Sequence, residues 1–99
     1  MSSGAPECEV VGILQNILPL IRYGHGKQKQ TFLLLSDTPS PQLLPIEARD
    51  EQISTLQRIP LLSKVKVRFA LEGQLWHPPQ GSPRPVLRLV ALEITRLPE

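Results

Sequence analysis

Hydrophobic residues recur along this chain mostly at every second position, in runs broken by Pro, Gly, Asp and Ser. A period of two places successive side chains on opposite faces of an extended backbone, so the pattern predicts strands. The cleanest run is Lys64–Trp76, where Val65, Val67, Phe69 and Leu71 alternate with Lys64, Lys66, Arg68 and Glu72. Gly73 is expected to shift that phase through a bulge. Gln28–Leu35 and Leu43–Arg49 read as two more strands, the second with Leu44, Ile46 and Ala48 in one phase. Pro45 lies in the other phase and has no N–H, which predicts an edge position or a gap in the ladder. Val86–Leu97 is the last strand, with Val90, Leu92 and Ile94 in one phase.

The segment from Cys8 to Tyr23 is apolar in both phases. Gly12, Pro19 and frequent β-branched residues argue against a helix there and for one long strand, bent or bulged near Gly12. Burial of both its faces suits a strand that curls through a barrel, and equally one packed on another subunit. Gly24-His25-Gly26-Lys27 is a turn, while Asp37–Pro41 and His77–Pro83 are loops. Helical spacing is confined to Asp50–Ile59, where Ile53, Leu56 and Ile59 share a face. Asp50 is placed to cap this helix, Glu51 suits its positive end, and Pro60 stops it.

The order is β-β-β-α-β-β. The chain is therefore expected to be all-β with one short helix, a five-stranded barrel of the OB-fold type. An SH3-like barrel is the nearest rival, but it does not place a helix of that length between the third and fourth strands.

Composition narrows the function classes. Ninety-nine residues with 40% hydrophobic content can bury one core, expected over residues 8–97 with a flexible start at 1–7. Aromatic content is only 4%, so that core must be aliphatic, and eleven prolines exclude a helical bundle. The formal charge of +2 is compatible with a polyanionic partner without requiring one. A single cysteine, Cys8, cannot form an internal disulfide, and neither a signal peptide nor a stretch long enough to span a bilayer is visible. A reducing, cytoplasmic compartment is the simplest reading.

The chain resembles the OB-fold single-stranded DNA-binding proteins and primosomal protein B of bacteria, and more closely a small bacterial OB family. The resemblance rests on Val11-Gly12-Ile13-Leu14, the Gly24–Lys27 turn, Gln30-Thr31-Phe32-Leu33-Leu34, the helix from Asp50, Lys64-Val65-Lys66-Val67 and the closing Leu87–Leu97. It covers nearly the whole chain by order and spacing. It implies binding of single strands with little sequence preference, as a dimer or tetramer, in replication, repair or recombination. Two departures stand out: these residues include no glycine-rich, acid-tipped tail, and aromatics are scarce.

Single-strand binding needs cations that follow phosphates and flat side chains on which bases stack. The loops joining strands one to two and four to five flank the groove of an OB barrel. Tyr23, His25 and Lys27 sit at the first, and Trp76, His77, Arg84 and Arg88 at or beside the second. Trp76 and Tyr23 are the candidate stacking platforms, although both could simply close the barrel ends. Lys29, Lys64, Lys66 and Arg68 complete the candidate phosphate contacts, although a basic stripe on a strand also protects an edge from aggregation. Arg49 is a candidate partner of Glu47 or Asp50.

The outer face of the second and third strands is expected to hold Lys29, Thr31, Leu33, Pro45, Glu47 and Arg49, with no aromatic. Leu33, Leu35 and Leu43 there suit a protein contact, which leaves an OB adaptor subunit as the alternative function. Catalysis finds no constellation. His25, His77 and Cys8 lack the spacing of a zinc site, Gly24–Lys27 lacks that of a P-loop, and no cofactor is called for. DNA and RNA are not distinguished at this level.

Overall fold

The computed structural model describes residues 4–98, so the expected flexible start falls partly outside the described residues. Six strands and one helix follow in order: β1 (Glu7–Ile17), β2 (Ile21–Tyr23), β3 (Lys27–Ser36), β4 (Leu43–Arg49), α1 (Glu51–Gln57), β5 (Lys64–Trp76) and β6 (Arg84–Arg96). The hydrogen-bonded order is β1-β5-β6-β4-β3-β2, and β1 also pairs with β3. Five strands thus close into a ring, with β2 attached to β3 outside it. All pairings are antiparallel except β4 with β6.

Alternation sends Leu14, Phe32, Leu34, Ile46, Ala48, Val65, Val67 and Phe69 into one core, where most are fully buried. The helix closes an end of the ring with Ile53 and Leu56, and Ile59 follows them in. Buried Gln30 is satisfied from two directions: it donates to the Leu18 carbonyl at 3.0 Å and accepts from Gln57 Nε2 at 3.1 Å.

Gly12 is where the ring shuts. It pairs with Val65 of β5 and with Ser36 of β3, so β1 changes neighbour there. A β-carbon at Gly12 would stand 2.4 Å from the Leu35 carbonyl oxygen.

Several sequence expectations need correction. The long strand over Cys8–Tyr23 is interrupted: Leu18, Pro19 and Leu20 link β1 to β2, because Pro19 cannot donate to a ladder. Its register shift lies between Leu14 and Asn16, past Gly12. The shift expected at Gly73 lies instead between Arg68 and Phe69, where β6 carries the extra residue Leu92. Gln52 Nε2 donates to the Leu92 carbonyl at 3.0 Å, so the helix satisfies the bulge. That bulge breaks the expected single phase of Val90, Leu92 and Ile94: Ala91 and Ile94 enter the core, Val90 is buried too, and Leu92 is only half-buried.

The helix is also shorter than Asp50–Ile59. Asp50 holds the capping position at φ 52°, but its side chain makes no capping bond. The Ile59 N–H bonds Leu56 three residues back, so the last turn tightens ahead of Pro60.

Candidate nucleic-acid interface

β5 and β6 run on together beyond the barrel. Past Val90, which pairs with Glu47 of β4, residues Arg84–Leu89 pair with β5 alone. The two strands therefore form an arm whose register continues to Trp76↔Arg84. Alternation gives the arm one face with Glu72, Gln74, Trp76, Arg84, Val86 and Arg88, and another with Gly73, Leu75, Pro85 and Leu87. Trp76 is half exposed at 49%.

Where β6 leaves β4, a cleft of about 380 Å³ opens, lined by Lys29, Thr31, Pro45, Glu47, Leu87, Arg88 and Leu89. Lys29, Thr31, Pro45 and Glu47 come from the outer face of β3 and β4, as their alternation predicts. Pro45 is not on an edge strand. It stands beside the gap left by the short β4–β6 pairing.

A chain of polar contacts runs along this face from the first loop to the arm. Lys29 Nζ lies 5.2 Å from the centre of the Tyr23 ring and 3.4 Å from Glu47 Oε1. Arg49 donates to Glu47 Oε2 from Nε at 3.0 Å and from Nη2 at 2.7 Å, and Nη2 reaches Glu72 Oε1 at 3.4 Å. Glu47 is buried, and two flanking cations offset the cost of burying its charge. Partial burial by itself would lower the Arg49 pKa. The hydrogen bond and charge of Glu47, then Glu72 and Tyr23, outweigh it and raise the guanidinium above its ordinary value.

The sequence candidates therefore divide. Tyr23, His25 and Lys27 sit on the β2–β3 turn, where Gly24 and Gly26 have φ of 57° and 76°, a region most side chains avoid. Tyr23 reaches the cleft through Lys29. Trp76, Arg84 and Arg88 share the arm face that Glu72 ties to Arg49, and His77 begins the loop at the arm's tip. Arg22, Lys27, Arg84 and Arg88 carry no ion pair among the described residues.

Lys64, Lys66 and Arg68 lie apart, on the outer face of β5 beside β1. Lys64 pairs with Asp37 at 3.2 Å and Arg68 with Glu7 at 2.9 Å. Thr31, Pro45 and Glu47 are cleft residues that the sequence placed on this outer face without a binding role, and Leu87 and Leu89 are cleft residues that it did not single out. The Glu47–Arg49 spacing was a visible signal, because residues two apart share a strand face. The rest depends on how the arm lies over the barrel.

The other end of the β3–β4 face is apolar. Leu35 pairs with both Ile13 and Leu43, and Leu33 with Pro45. Leu43 is 54% exposed. Among the described residues, no three His, Cys, Asp or Glu side chains gather as metal ligands, and no helix is long and apolar enough to cross a membrane.

No family model and no curated protein matches the sequence. Solved structures do match. The mitochondrial single-stranded DNA-binding protein Rim1 of S. cerevisiae superposes with a TM-score of 0.77 over 94% of this chain and 96% of its own, at 16% identity. The chain is an OB-fold. The Plasmodium falciparum SSB, solved in complex with single-stranded DNA, matches at TM-score 0.71 and 16% identity over 99% of this OB-fold and 100% of its own chain. The dimeric N-terminal domain of PriB from Thermoanaerobacter tencongensis matches at TM-score 0.68 and 18% identity, over 94% and 97%. At these identities the likeness is one of fold, and the OB-fold's function has to be argued from its own surface.

Proposed function

We propose that this OB-fold binds single-stranded DNA with low overall sequence preference, without catalysis, as part of replication, repair or recombination. The observation that carries the reading is the cleft between the β3–β4 face and the arm. It is lined by Lys29 and Glu47 from β3 and β4 and by Leu87, Arg88 and Leu89 from the arm. Arg49 is held beside Glu47, and Trp76 and Arg84 share the arm face of Arg88. Cations spaced along a groove attract a polyanion, and half-exposed Trp76 and Tyr23 offer flat faces to bases that are not already paired. That similar folds include a protein solved with single-stranded DNA supports the same reading. Lys64, Lys66 and Arg68 are secondary to it, since two of the three are engaged by carboxylates. A reducing compartment suits the exposed thiol of Cys8.

The test follows Trp76 fluorescence while a mixed-sequence single strand, its RNA counterpart or a duplex is added at low and high salt. Quenching by single strands and not by duplex, weakened at high salt, is the expected result. A flat signal together with unchanged anisotropy of a labelled strand would reject the reading. Trp76→Ala is expected to weaken binding by about 1–3 kcal/mol while the thermal melt stays unchanged, because the side chain lies outside the core.

The apolar end of the same face is proposed to contact a second copy of the chain. Ile13, Leu33, Leu35 and Leu43 form a continuous patch on the outer surface, away from the cleft cations. Leu43→Glu is expected to lower the mass measured by light scattering to that of one chain, with binding to single strands retained per chain. An unchanged mass would remove the patch from assembly.

A further inference from the structure

The cleft holds one group that phosphate binding does not explain. Glu47 places a buried carboxylate in the middle of an otherwise basic surface. Opposite a phosphate it would repel. The walls beside it, Pro45, Leu87 and Leu89, are apolar and suit the flat face of a base rather than a sugar–phosphate chain.

The carboxylate is also aimed. Arg49 takes Oε2 with two short bonds, whereas Oε1 has only Lys29 at 3.4 Å, too long for a full hydrogen bond. Oε1 therefore keeps acceptor capacity toward the cleft, with the Lys29 ammonium, a donor, beside it. Thr31, paired directly across from Glu47, adds a hydroxyl. An acceptor next to a donor reads the edge of an unpaired base, since single strands expose these edges.

We infer that this cleft is a subsite for one guanine, read by Glu47 and Lys29. The Watson–Crick edge of guanine presents two neighbouring donors, N1–H and the N2 amino group, followed by the O6 acceptor. Because Arg49 occupies Oε2, both donors converge on Oε1, whose two lone pairs can accept them, and O6 matches the ammonium. Thymine offers a single N–H between two carbonyls: one can meet the ammonium, but the other then faces the carboxylate at close range. Adenine and cytosine each place a bare ring-nitrogen acceptor where guanine has N1–H. A site built for donors discriminates against a base that lacks them, because its own acceptor is left unpaired.

The inference rests on the proposed single-strand binding and adds one preferred base within a binding mode otherwise indifferent to sequence. Its test uses thymine tracts carrying isolated guanines, the same tracts with hypoxanthine at those positions, and thymine alone. Hypoxanthine differs from guanine only in lacking the N2 amino group. The guanine tract is expected to bind about tenfold more tightly than the other two, measured by anisotropy at one salt concentration. Glu47→Gln, checked by circular dichroism for folding, is expected to remove that difference and to strengthen binding of the thymine tract by deleting a negative charge. The hypoxanthine comparison on the unaltered protein decides the matter even where the variant fails to fold. Equal binding of guanine and hypoxanthine tracts would overturn the subsite and leave single-strand binding standing. No binding to any tract would overturn both.

Discussion

Gly12→Ala is expected to destabilise the fold by about 3 kcal/mol, a large share of what a domain of this size has. Gly12 pairs on both sides, with Val65 and Ser36, at the point where β1 passes from β5 to β3. The added methyl would lie 2.4 Å from the Leu35 carbonyl oxygen and 3.0 Å from the Leu34 side chain. The first of these is backbone, so no rotamer change relieves it. Either β1 separates from β3 or the strand rotates, and both open the ring. Urea unfolding should show a lower midpoint, and the thermal midpoint should fall by about 12–24 °C. Gly73→Ala is the control, because the nearest atom to its added methyl is 4.0 Å away on an exposed arm. Similar midpoints for the two variants would mean that the β1–β3 closure is not needed for stability.

The second large effect concerns salt. Lys27, Lys29, Arg49, Arg84 and Arg88, set against Glu47 and Glu72, leave about three net positive charges on or beside the cleft, so single-strand affinity should fall about 20-fold between about 50 and 200 mM salt. Arg84 and Arg88 supply about two of these three from the arm, and neither is engaged by a carboxylate among the described residues. Replacing both by glutamine should reduce the loss over the same interval to about threefold, since each released counterion contributes about 0.7 to the logarithmic slope. Affinity at low salt should drop as well. An unchanged slope would mean that the strand does not run along the arm. The same substitution pair at Lys64 and Lys66 should leave the slope nearly unaltered, since those side chains lie outside the cleft.

Much of the architecture was legible in the amino-acid order. The alternation of Val65, Val67 and Phe69 against Lys64, Lys66 and Arg68 specifies a half-buried strand, because a slip of one residue would expose the whole apolar set. The loop at His77–Pro83, the turn at Gly24–Lys27 and the position of the helix followed from local backbone restrictions on Pro and Gly. These limits act within a few residues, so they can be read from a few residues. Leu92 as the extra residue of β6 could not be read in this way. Nothing in its own neighbourhood requires a bulge. It arises from the curvature of a closed ring, and its carbonyl is satisfied by Gln52, forty residues away in sequence.

The site divides along the same line. Sequence by itself determined the strand phases, and with them the presence of Lys29, Thr31, Glu47 and Arg49 on one outward face and of Trp76 and Arg84 near one loop. Side-chain direction along a strand depends only on the pleat. Tertiary structure alone decided that β6 leaves β4 after a single pair, that the arm's Arg88 and Leu87 then stand over that outward face, and that Glu72 reaches Arg49. Those contacts depend on ring closure through Gly12, a long-range event to which no local propensity points. The same event set Lys64 and Arg68 beside Asp37 and Glu7. From sequence they were indistinguishable from the cations that face the cleft.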